Sequence, residues 1–125
     1  MVTKRLYMAG TLAAVALATG CSKAPTVSFA NDVMPVLDQH CTECHVAGGD
    51  GAQKSGFIVD SYDSVMAGTA LGPMVVAGDP LSSNLYRMVA LEVDKSIQMP
   101  HGKSTLTDEE RTVIKTWIAE GALNN

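Results

Sequence analysis

Large aromatic side chains are scarce in this chain of 125 residues: two Phe, three Tyr and one Trp, 5% of the whole, although 46% of its residues are hydrophobic. The protein alone has few bulky groups for a core, and its length suits one domain rather than two ordinary ones. Basic residues are few as well, nine against thirteen acidic, for a formal net charge of −4. Binding to nucleic acid needs a basic footprint on the protein, so this balance argues against such a partner. No internal repeat or low-complexity segment is present. The most apolar run, Leu6 to Ala18, is too short to span a membrane comfortably.

Cysteine is limited to three positions, and two of them stand in Cys41-Thr42-Glu43-Cys44-His45. Two cysteines three apart with a histidine next is the spacing that attaches c-type haem. Two thiols about one helical turn apart can add to the two vinyl groups of one porphyrin, which sets the next residue beneath the ring with an imidazole nitrogen facing the iron. The competing reading is a disulfide or half of a zinc site with an incidental histidine. Structural zinc takes about four ligands, and beyond this motif only Cys21, His40 and His101 remain. A porphyrin would also supply apolar bulk that the aromatics do not.

The first twenty residues read as a signal peptide. Lys4 and Arg5 form a charged start, the apolar run follows, and Thr19-Gly20 precede Cys21. Ala18-Thr19-Gly20-Cys21 resembles the lipobox of bacterial lipoproteins, with Ala where Leu is usual and Leu17 one place early. An ordinary cleavable signal and an uncleaved anchor helix are the other readings. The resemblance implies lipidation at Cys21, residues 21–27 as a lipidated tether and residues 28–125 as the domain. Several acyl chains on one residue would hold the protein firmly to a membrane. Ser22 after the cysteine favours an outer membrane by resemblance to enterobacterial lipoproteins. Export agrees with the haem reading, because bacterial c-type attachment takes place outside the cytoplasmic membrane. Loss of residues 1–20 leaves seven basic against thirteen acidic residues, which suits redox partner proteins with basic docking patches.

The periodicity predicts an all-α fold of short helices. Ser28 can cap a helix running to His40, with Phe29, Val33, Val36 and Leu37 on one face, and Pro35 should kink it or move its start toward Val33. Val46 to Gly56 reads as a glycine-rich loop, and Gly56-Phe57-Ile58-Val59 as an apolar segment against a haem edge. Ser61 to Ala67 fits one or two helical turns with Tyr62, Val65 and Met66 inward. After a loop to Gly78, Asp79-Pro80 should open a helix reaching Leu91 with Leu81, Leu85, Met88 and Val89 on its stripe. Glu92 to Ser104 reads as an extended loop. Thr107 to Glu110 forms a capping box before a helix with Val113, Ile114, Trp117 and Ile118 inward, stopped at Gly121. Trp117 belongs where this helix crosses the first.

Together these residues resemble small class I-like c-type cytochromes, and in particular the planctomycete-type cytochrome c-like domain. The pattern is Phe29, Asp32-Val33, Pro35-Val36-Leu37 and Cys41-Thr42-Glu43-Cys44-His45, then Gly78-Asp79-Pro80 and Ser83-Asn84-Leu85-Tyr86. Met99-Pro100, Leu106 to Glu110, Trp117-Ile118 and Gly121-Ala122 complete it. The resemblance implies three to five short helices around one haem c, held covalently by Cys41 and Cys44. His45 is then the proximal iron ligand and Met99 the leading distal one, a soft thioether that favours ferrous iron and suits electron transfer. Met74, His101 and an open sixth site are the alternatives. Where the family usually continues Met-Pro with Pro and Gly, this chain has His101-Gly102-Lys103. Met66, Met88 and Met34 read as core packing, and His40 as a surface or haem-edge histidine.

The function that follows is a single-haem electron carrier, tethered by lipid and facing the periplasm or an equivalent space. It is not an enzyme, since no catalytic constellation is evident. The alternatives are a haem module that binds or senses a small ligand, and the cytochrome subunit of a dehydrogenase or oxidase complex.

Overall fold

A computed structural model describes residues 24–125, and within them the fold is helical with no named strand. Its first turn is wide. Ser28 caps it by accepting from the Asn31 N–H at 3.2 Å, while Asp32 accepts from the Ser28 N–H at 2.8 Å. Phe29–Val33 then runs as a π-helical turn, with the Val33 N–H reaching back five residues to Ser28 O. The α-helix proper, α1, is Met34–His40 with Pro35 in its first turn. Because the π turn runs directly into α1, Pro35 lies inside a continuous helical run and removes one backbone donor there, where the wide turn gives way to α-helix.

The last residue closes this first turn. Asn125 O accepts from the Ala30 N–H at 3.0 Å and the Ser28 hydroxyl at 2.7 Å, and its side chain accepts from the Phe29 N–H at 2.9 Å. Thr26 and Val27, within the expected tether, donate their N–H groups to the Glu120 carboxylate at 2.8 and 3.0 Å. The signal peptide and Cys21 lie outside the described residues.

The remaining helices are α2 Asp50–Ser55, α3 Tyr62–Ala67, α4 Asn84–Val89 and α5 Asp108–Ala119. Ser61 caps α3, and as expected Thr107 with Glu110 forms the complete capping box of α5. Beyond Gly121 (φ 103°) the Ala122 N–H returns to Trp117 O, which ends the helix. The scarce aromatics are concentrated. Phe29 packs on Trp117 at 5.3 Å and edge-on to Tyr62 at 5.2 Å, where α5 crosses the first turn. Both polar handles are used, Trp117 Nε1–H donating to Leu123 O and Tyr62 O–H to Ala122 O, each at 2.9 Å. Val33, Leu37, Val65, Val89, Ile114 and Ile118 complete a core almost closed to solvent.

Three expectations are corrected. Part of the predicted 46–56 loop is α2: the Ala52 N–H bonds to Cys44 O at 3.0 Å, and Gly56 (φ 73°) ends the helix in the left-handed conformation. The helix expected from Asp79-Pro80 starts at Asn84. Asp79 instead accepts from the Ser82 N–H and hydroxyl, closing a separate turn. Ser83 is fully buried in an extended conformation, bonded to Val76 N and Asp79 O, and Leu81 is left 67% exposed rather than on a stripe. Within the predicted extended loop, Lys95–Ile97 forms a 3-10 turn capped by Asp94.

Candidate functional site

Cys41 directly follows α1, which delivers the motif to one end of the fold. The Cys41 N–H still bonds to Leu37 O at 2.8 Å, and the Cys44 and His45 N–H groups both turn back to Cys41 O, at 3.1 and 2.9 Å. This tight turn places both thiols and the imidazole on the wall of one cavity of about 640 Å³. Cys41 is half-buried and Cys44 exposed, and both thiols are free. Burial pushes the Cys41 thiol up to about 11, partly opposed by the Lys103 ammonium.

Backbone geometry orients the imidazole. His45 Nδ1 lies 3.0 Å from Phe57 O, and a carbonyl can only accept, so Nδ1 carries a proton and in the neutral ring Nε2 is the nitrogen left with a lone pair. Phe57 is held by the Val59 N–H bonding to His45 O at 2.9 Å, and its ring sits 6.0 Å from the imidazole. Gly51 on α2 lets the helix approach: a Cβ there would lie 2.9 Å from both Cys44 O and His45 Nε2.

Met99 also lines the cavity; its N–H bonds to Met88 O at 3.2 Å and its peptide bond to Pro100 is cis. Met74, Met88 and His101 share the same cavity with Met99, so Met88 lines the site instead of packing wholly in the core. Leu85, Val89, Phe57, Val59 and Pro73 give the wall its apolar character. The structure therefore brings Cys41, Cys44, His45 and Met99 together, and it also keeps the alternative distal residues within the same walls.

Several contributors escape sequence reasoning. Lys103 on the cavity wall pairs with Glu43, the residue just before Cys44, and that carboxylate's hydrogen bond raises the ammonium's pKa. His40 is half-buried at the rim, its Nε2 2.9 Å from Glu110. Glu110, read from sequence as a cap, thus serves twice, and the His40 bond, followed by the Thr107 N–H, holds its carboxyl below the usual range. Nothing in local spacing signals either pair, because each joins residues 60 or more positions apart.

The residues present fit a covalently held haem. Two thiols, an imidazole with its outer nitrogen already bonded, and a thioether line one largely apolar space, within the size range of small-molecule sites. Among the described residues no group of three or more His, Cys, Asp or Glu converges as a metal cluster. No curated protein and no solved structure matches the chain. Residues 41–101, from the first cysteine of the motif to the histidine after Met-Pro, match the family described as planctomycete cytochrome C. That match covers 61 of the 125 residues and supports a cytochrome c-like domain, with which the helical, strand-free fold of the described residues is consistent.

Proposed function

We propose that the protein is a single-haem c-type cytochrome that carries electrons outside the cytoplasm, tethered to a membrane by lipid on Cys21. The observation that supports this reading most is the convergence of Cys41, Cys44, His45 and Met99 on one cavity. When bound, haem supplies one-electron chemistry, its iron passing between ferric and ferrous forms.

The chain's residues do the rest. Cys41 and Cys44 hold the group covalently. His45 presents Nε2 while its Nδ1–H stays on Phe57 O, which fixes the ring and strengthens the ligand. Met99, lining the same cavity, would supply a neutral thioether as the second ligand. With both ligands mounted on bonded backbone, the site changes little between charge states, as fast transfer requires. The acidic remainder of the chain favours a redox partner with a basic docking patch. The outer membrane is the favoured location, on the residue after Cys21.

A visible spectrum, oxidised and then reduced, tests this after expression with a cytochrome maturation system. Sharp low-spin c-type bands are expected, with a weak far-red band in the oxidised form that the Met99→Ala variant lacks. A high-spin spectrum with rapid carbon monoxide binding would instead favour the ligand-binding module, and no haem bands would refute the reading. Radiolabelled fatty acid incorporation that disappears in Cys21→Ser tests the anchor.

A further inference from the structure

We propose that Lys103 and Glu43 are a positioning pair that keeps the Met99 segment closed over the cavity. The inference rests on Met99 as the distal ligand. The segment after Met99 is fastened at two ends. On one side the Met99 N–H bonds to Met88 O at 3.2 Å on α4, and on the other Leu106 is 2% exposed with its carbonyl accepting from Arg111 Nη1 at 2.8 Å. Between these anchors lie residues 100–105, mostly turn and exposed coil, with His101 and Gly102 facing solvent. Lys103 ties this stretch to the rest of the molecule, its Nζ bonding to the Glu43 carboxylate.

The partner's position gives the tie its meaning. Glu43 sits between Cys41 and Cys44, in the turn that would hold the haem, so the pair joins the distal segment to the proximal motif across 60 residues of sequence. Lys103 also lines the cavity wall, which places the tie at the site's edge. Opening the segment to admit an outside ligand at the iron requires Lys103 to leave Glu43. The Lys103 side chain is 32% and the Glu43 side chain 72% exposed, so the pair is screened by salt and its effect is modest.

The test uses the haem-loaded full chain and the rate at which imidazole binds the ferric protein. Lys103→Met and Glu43→Gln should each accelerate binding about two- to fivefold, the effect of a partly exposed ion pair. Half-molar sodium chloride should accelerate the wild type by a similar factor and leave both variants nearly unchanged. The charge-reversed Glu43→Lys/Lys103→Glu protein should return toward the wild-type rate, which a purely structural role for either side chain would not produce. Unchanged single variants, or a reversed pair as fast as the singles, would overturn the proposal. Amide exchange over residues 101–105 of the same loaded proteins judges the tie separately: faster exchange in Lys103→Met supports it and equal exchange refutes it. If the wild type lacks the far-red band, the ligand assignment fails while the exchange result still decides the tie.

Discussion

Replacing Gly51 with Ala asks whether the close approach of α2 to the haem motif is required. A Cβ at this position would stand 2.9 Å from Cys44 O, 2.9 Å from His45 Nε2 and 3.0 Å from its neighbouring ring carbon. Ordinary C···O contacts begin at about 3.3 Å, so α2 must retreat by roughly 0.4 Å or more. Its Ala52 N–H bond to Cys44 O, now 3.0 Å, lengthens with it, and the imidazole is pushed aside. Overpacking of this kind costs about 1–3 kcal/mol, whereas Gly→Ala inside a helix returns about 1 kcal/mol of propensity. The net expectation is a loss of about 0–2 kcal/mol together with a disturbed iron spectrum. Gly56→Ala is the contrast, because its Cβ meets nothing within 4 Å and φ is 73°. Backbone strain there should cost about 1–2 kcal/mol and leave the spectrum alone. Denaturant unfolding and the visible spectrum of the two loaded variants give both readouts. A Gly51→Ala protein about 1 kcal/mol more stable than wild type, with unchanged bands, would show that propensity wins and refute the steric argument.

Three further outcomes follow from the same geometry. In the folded, cofactor-free Cys44→Ser chain, alkylation of Cys41 should quicken about tenfold per pH unit until near 11, and a plateau near pH 8 would contradict its burial. Glu110 has a lowered carboxyl pKa, so its contribution is present above the ordinary carboxylate range of about 4.3 and lost as pH falls through the depressed value. The melting temperature of Glu110→Gln should therefore fall less than that of the wild type between pH 5 and 3, and parallel curves would sink the assignment. Trp117→Ala removes a ring that is 1% exposed and packs on Phe29, and should destabilise the chain by about 3–5 kcal/mol in chemical denaturation, a loss below 1 kcal/mol ruling out its central place.

The helices whose ends are set by side chains were legible in the sequence. Ser28 and the Thr107–Glu110 box act within three residues of themselves, and local reasoning finds such partners. It failed at α2, where glycines that look like loop residues are there for close approach to Cys44 and His45. It failed again at Asp79-Pro80, since both residues carry a helix-start signature but Ser83 is claimed by Val76 and Asp79 before a helix can form. At the site, residue types with their own chemistry stood out: two thiols, an imidazole and a thioether. Phe57 contributes a carbonyl, Gly51 the lack of a Cβ, and Glu43 and Glu110 partners far along the chain, and none of these has a local pattern to read.

The hydrogen bonds from Asn125 to the first turn bear on the order in which the molecule can be built. The Phe29 and Ala30 N–H groups and the Ser28 hydroxyl are satisfied by a residue 95 or more positions away, so local structure alone does not complete that turn. A helical segment of about a dozen residues is marginal in water without tertiary partners. The first turn of residues 29–40 is therefore complete only when position 125 is in place. The burial that raises the Cys41 thiol belongs to the folded chain, so in the unfolded chain this residue ionises as an ordinary cysteine. The closing contact is in this sense a keystone, a residue at the far end of the chain that completes the turn leading into the haem-type motif.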